Sequence, residues 1–227
     1  MINAATRNRS FSIQQIAAIV VPLLLIPIMT AVFVDFNQLF GSPLGYLWSM
    51  VVYWVIWCTL VPLALLGGWR PFAGLFRPVP SLPSMGWKIN LLLWWPVTFP
   101  LAFIFIPRVA STPLIIVAAS IVLGILIGVT EEVLWRGVYL RLFPNNGWLN
   151  LIYPSVMFAL WHIAPQSVVV NRMPGGVFSF VAYALVLGLS YGVAARRTGS
   201  ITWPTIAHII HDSLGIGAAV YAAWLIR

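Results

Sequence analysis

Charged side chains are scarce in this chain. They occupy 7% of its 227 positions, against roughly 25% in a soluble globular domain. With 61% of the residues hydrophobic, too little polar surface remains to face water. A soluble protein, a disordered chain and a coiled coil are excluded on that ground. Cysteine is nearly absent, and the lone Cys58 excludes a disulfide scaffold. Acids are scarcer than bases. Asp35, Glu131, Glu132 and Asp212 are the four, and His162, His208 and His211 are the three histidines. Those seven residues hold nearly all the proton chemistry available to the chain.

Long apolar runs are plentiful. A spanning helix needs about 20 mostly apolar residues, and such stretches lie near 13–34, 45–67, 88–107, 112–143, 147–164, 176–195 and 202–225. They are apolar on every face, unlike the alternating pattern of spanning strands. The expected fold is therefore all-α: a polytopic transmembrane bundle of about seven spans (eight if the long fourth stretch divides), forming one integral-membrane domain over 1–227. The fourth stretch is too long for a straight span, so it tilts, kinks near Gly124 and Gly128, or begins with an interfacial segment. The first run is too long for a signal peptide and lacks a following small-residue cleavage site, so it reads as an uncleaved span.

Placing the N-terminus in the cytoplasm puts nine basic residues inside (Arg7, Arg9, Arg70, Arg77, Lys88, Arg136, Arg141, Arg196, Arg197) and three outside (Arg108, Arg172, Arg227). That asymmetry follows the positive-inside rule. The net charge of +8 is then explained by topology and anionic lipid, and its dispersal over separate loops argues against nucleic acid as a partner. One lysine against eleven arginines suggests a prokaryotic cytoplasmic membrane. Trp69, Trp87, Trp94, Trp95, Trp148 and Trp203 read as interfacial anchors or lipid-facing bulk. Asp35 reads as a solvated boundary residue, and oligomeric state is not legible.

Ionisable groups inside a membrane are costly and point to function. In Glu131-Glu132-Val133-Leu134-Trp135-Arg136, helical spacing pairs Glu132 with Arg136 at i,i+4. Glu131 is rotated about 100° away and needs a different partner. A carboxylate left free beside a satisfied pair suits a general base. In the fifth stretch, Phe158 and His162 share a face. In the seventh, His208 and Asp212 share a face, where a carboxylate can fix a histidine's tautomer or hold it as a cation. His211 reads as supporting or incidental. Taken alone, each motif also reads as a packing or boundary feature. Their depths argue otherwise. At ~1.5 Å per residue, Glu131, His162 and His208 lie roughly 18, 22 and 12 Å above the cytoplasmic edge. All three fall in the central part of a core about 30 Å thick.

The motifs Glu131-Glu132-x-x-x-Arg136, Phe158-x-x-x-His162 and His208-x-x-x-Asp212 together resemble the CAAX protease and bacteriocin-processing family of intramembrane endopeptidases, also called the Abi or Rce1-like group. The stretch Thr198-Gly199-Ser200-Ile201-Thr202-Trp203-Pro204 resembles that family's lead-in to the last motif. The resemblance covers about 113–216, and the family places Asn or Asp where Asp212 stands. It implies proteolysis of a membrane-associated, in some members lipidated, protein or peptide. Glu131 would activate a water, with His162 helping to hold it. His208 and Asp212 would polarise the scissile carbonyl, and Glu132 with Arg136 would orient the site, beside Phe158.

Other chemistries remain open at this point. Glu131, His162 and His208 are a plausible zinc set, although no H-E-x-x-H helix is present, and a metal-free glutamate mechanism is favoured. Cys58 has no histidine or acid near it in sequence, and no G-x-S-x-G elbow occurs. A proton-coupled transporter would step its groups across the bilayer, whereas these converge at one depth. A non-catalytic immunity or scaffold protein would have no need of the full motif set.

Overall fold

The computed structural model describes residues 10–225 except 43, 78, 80 and 170–173, with side chains as far as Gly215. Arg7, Arg9, Arg172 and Arg227, used above to orient the chain, lie outside the described residues. Every secondary-structure element among the described residues is a helix. Besides a 3-10 turn at Leu82–Met85, they are α1 (Ile13–Phe40), α2 (Leu44–Leu66), α3 (Trp69–Ala73), α4 (Trp87–Ser111), α5 (Leu114–Leu142), α6 (148–161), α7 (Ile163–Gln166), α8 (Gly176–Thr198) and α9 (Thr202–Leu225). Among the described residues, α1, α2, α4, α5 and α8 are long and apolar enough to cross a membrane. The fifth apolar stretch is less regular than the sequence suggests. It forms α6, breaks at His162, and resumes as α7.

The long fourth stretch does not kink at its glycines. It runs as regular α-helix through Gly124 and Gly128 to Glu132, then loosens into a π-helical turn over Val133–Gly137. The glycines instead act as notches for α9. A Cβ at Gly124 would lie 2.7 Å from the Ser213 backbone nitrogen, and one at Gly128 would lie 2.7 Å from that of Ile209. Small residues let helix backbones approach this closely where no hydrophobic drive separates lipid from protein. Gly188 plays a similar part against α6, whose Ser155 Cα would be 3.3 Å from its Cβ.

Side-chain bonds lock the N-terminal helix onto this pair. Ser12 and Gln15 form a reciprocal capping box at the start of α1. Gln15 also reaches across to donate to the Leu142 carbonyl at the end of α5, 2.8 Å away. Pro22 lacks the N–H that the Ala18 carbonyl would otherwise bind within the helix. The Tyr139 hydroxyl of α5 donates to that carbonyl at 2.8 Å, and Tyr153 of α6 donates to the next, Ile19. At the other end, the Ile201 amide and Ser200 hydroxyl both donate to the Leu75 carbonyl, fastening the segment after α3 to the start of α9.

The tryptophans divide. Trp69, Trp87 and Trp148 are exposed, as interfacial anchors would be. Trp94 instead packs against the core, and Trp95 donates its indole N–H to Ser190 of α8 at 3.1 Å.

Candidate active site

Helix α5 carries Glu131, Glu132 and Arg136 into the interior, where none is more than 4% exposed. Glu132 Oε1 lies 2.9 Å from Arg136 Nη1, the pair expected from the i,i+4 spacing. The same oxygen lies 2.8 Å from His208 Nδ1 on α9. A carboxylate oxygen held by a guanidinium accepts, so the imidazole Nδ1–H donates. This orients the ring and turns Nε2 toward Glu131 Oε2 at 3.9 Å and Asp212 Oδ2 at 3.4 Å. Glu131 is thus rotated off the Arg136 pair and faces the other edge of His208.

One sequence expectation changes here. Asp212 shares a helix face with His208, but Glu132 makes the hydrogen bond that fixes the His208 ring. The two residues are 76 positions apart, and no helical period relates them. Asp212 Oδ1 is instead 2.9 Å from Nδ1 of its neighbour His211, which joins the hydrogen-bonded cluster. Asp212 Oδ2 has no hydrogen-bond partner among the described residues.

His162 sits where α6 breaks. Its Nδ1 is 2.8 Å from the Phe158 carbonyl. A carbonyl only accepts, so Nδ1 carries the proton and Nε2 of the neutral ring is left as an acceptor. No hydrogen bond or ion pair joins His162 to Glu131 among the described residues. The Phe158 ring meets the His162 ring edge-on at 4.7 Å and the His208 ring at 6.2 Å. It also lies 4.3 Å from the Arg136 guanidinium carbon, a desolvated cation–π contact. Phe158 is therefore the apolar wall shared by three polar members of the site.

Residues 113–214 match the family model described as type II CAAX prenyl endopeptidase Rce1-like. The segment is an Rce1-like domain. No curated protein and no solved structure matches the chain. The matched range contains Glu131, Glu132, Arg136, Phe158, His162, His208, His211 and Asp212, so the buried cluster lies in the segment that is similar to CAAX-type endopeptidases, and long apolar helices suited to a membrane surround it.

The Rce1-like domain also draws on residues outside the match. Tyr53 of α2 accepts a hydrogen bond from Trp135 Nε1 at 2.8 Å and stacks on Trp161 at 3.8 Å. Its hydroxyl also interacts with the Glu131 carboxyl. Because the oxygen accepts from Trp135, the single hydroxyl proton is left for Glu131 or for Cys58, which also lies against it. Sequence reading missed Tyr53, since an aromatic in an apolar span gives no signal by itself.

A zinc ion would need Glu131, His162 and His208 to converge on one point. Phe158 packs against the rings of both histidines, and Glu131 Oε2 is 3.9 Å from His208 Nε2. Among the described residues no three His, Cys, Asp or Glu side chains are grouped so as to hold a metal ion.

Proposed function

We propose that this Rce1-like domain hydrolyses a peptide bond of a membrane-associated protein or peptide through a water activated by Glu131. The carrying observation is the arrangement of the two glutamates. Glu132 is tied to Arg136 and His208, while Glu131 has no cation of its own and faces the free edge of His208. Glu131 takes a proton from the water, whose oxygen attacks the scissile carbonyl. The C–N bond then breaks, and the same proton passes to the leaving amine. His162 Nε2 is an acceptor suited to holding the water. With Nδ1–H given to Glu132, His208 Nε2 donates only when the ring is the cation that Glu131, Glu132 and Asp212 around it favour; in that form it faces the region where the carbonyl oxygen would gain charge, and a donor there is worth most in a water-poor site. Asp212 backs that edge of the ring. A lipid-anchored substrate, the class named by the family description, would bring its scissile bond to this depth from within the bilayer. A prokaryotic cytoplasmic membrane fits the arginine-rich, lysine-poor composition.

The test is cleavage of a substrate peptide by the purified protein in proteoliposomes. Glu131→Gln should lower turnover by about 10²–10⁴-fold while leaving thermal unfolding in detergent unchanged. Wild-type turnover in that variant would remove Glu131 as the base. Activity should survive exhaustive chelation; loss restored by added zinc would instead favour a metal mechanism. Substrate-independent proton flux, abolished in Glu131→Gln, would favour the transporter reading.

A further inference from the structure

Asp212 reaches the site through a chain of bonds that starts in the backbone of α4. Pro96 and Pro100 lie four residues apart in that helix. Pro100 has no N–H, so the Pro96 carbonyl lacks its helical partner. The next amide, that of Leu101, bonds to Val97 and Thr98 and leaves Pro96 unmet. An unmet carbonyl in a membrane interior is costly. The Tyr183 hydroxyl of α8 donates to it at 3.1 Å.

The same hydroxyl oxygen is 3.0 Å from His211 Nε2. A hydroxyl has a single proton. With that proton directed at Pro96, the oxygen accepts, and His211 Nε2 must carry a hydrogen. The other ring nitrogen, Nδ1, is 2.9 Å from Asp212 Oδ1, so the pair shares a proton across that gap. The other Asp212 oxygen, Oδ2, stands 3.4 Å from His208 Nε2 with no hydrogen bond of its own. The Tyr183 and His211 rings also lie at a shallow 25° to one another, 5.9 Å between centres.

We infer that Tyr183 and His211 are positioning residues: anchored to the Pro96 carbonyl, they hold Asp212 with its second oxygen directed at the His208 edge where the substrate carbonyl would sit. The inference rests on the proposed roles of His208 and Asp212, but its geometry is testable without them. Neither residue touches the reacting atoms, and Pro96 and Pro100 lie outside the matched segment.

The experiment is nitrogen NMR of histidine-labelled protein in nanodiscs, with the three histidines assigned by single substitution. His211 should show a proton on Nε2. Tyr183→Phe should perturb that signal while leaving the His162 signals in place. A His211 Nε2 that is unprotonated in the wild type, with Tyr183 donating to it, overturns the inference. In the cleavage assay, Tyr183→Phe should lower kcat by about tenfold or more, the scale of outer-shell losses, with KM little changed. An unchanged kcat overturns the positioning role. Loss of turnover in Glu131→Gln alongside a normal Tyr183→Phe would sink this inference alone. Wild-type turnover in Glu131→Gln with the Nε2 proton in place would sink only the base assignment.

Discussion

Replacing Gly128 with alanine should damage catalysis without touching a catalytic group. A Cβ there would lie 2.7 Å from the Ile209 backbone nitrogen and 3.0 Å from its Cα. Ordinary contact begins near 3.4 Å, so α5 and α9 must part by about 0.7 Å, because backbone cannot rotate aside. Ile209 follows His208 directly, and Glu131 and Glu132 lie one turn beyond Gly128. The displacement therefore falls on the 2.8 Å bond between Glu132 and His208, stretching it past useful hydrogen-bond length. Overpacking of this kind costs about 1–3 kcal/mol of stability, and a misplacement near 1 Å can lower turnover about 10²-fold. Gly192→Ala supplies the control. The obstruction there is the Leu151 Cδ1 methyl at 2.7 Å, the far end of a flexible side chain that can turn away. Turnover per folded molecule in proteoliposomes, with folded fraction from thermal unfolding in detergent, separates the two losses. Equal turnover in Gly128→Ala and Gly192→Ala would refute the argument that helix spacing sets the site.

Arg136→Ala should act on folding before chemistry. It leaves Glu132 buried beside His208 without its guanidinium, a loss on the order of 3–5 kcal/mol, read as reduced folded yield. A normal yield with a normal melting temperature would show that His208 alone satisfies Glu132. Tyr53→Phe keeps the stack on Trp161 but removes the acceptor for Trp135 and the hydroxyl beside Glu131. It should lower kcat about 5- to 10-fold, the equivalent of a hydrogen bond worth roughly 1–1.5 kcal/mol. Unchanged kinetics would make Tyr53 a packing residue only.

The all-α membrane architecture was legible because composition alone forces it. The Glu132–Arg136 pair was legible because an i,i+4 spacing is a local property of a helix. The bond between Glu132 and His208 was not, since it depends on two notches in α5 that bring α9 close, and G-x-x-x-G is common by chance in apolar spans. Nor was the continuity of α5: the sequence shows glycines where a kink is natural, while the helix loosens five residues after Gly128. His162 shows the opposite case. Its motif places it on the Phe158 face, and that nearness directs Nδ1 to the helix's own Phe158 carbonyl rather than to Glu131. Tyr53, Tyr183 and Trp135 carried no signal because their polar atoms matter only once distant helices are packed.

The bond from Tyr139 to the Ala18 carbonyl bears on the order in which the molecule comes together. Its two ends are 121 residues apart. During synthesis α1 enters the bilayer long before α5 exists, bearing a carbonyl that its own helix does not bind. An apolar neighbour can cover that site but cannot satisfy it, so α1 keeps an unfilled acceptor until the tyrosine arrives. Proline thus marks α1 for one late partner among several equally greasy ones. The mark joins a helix outside the matched segment to the helix that bears Glu131.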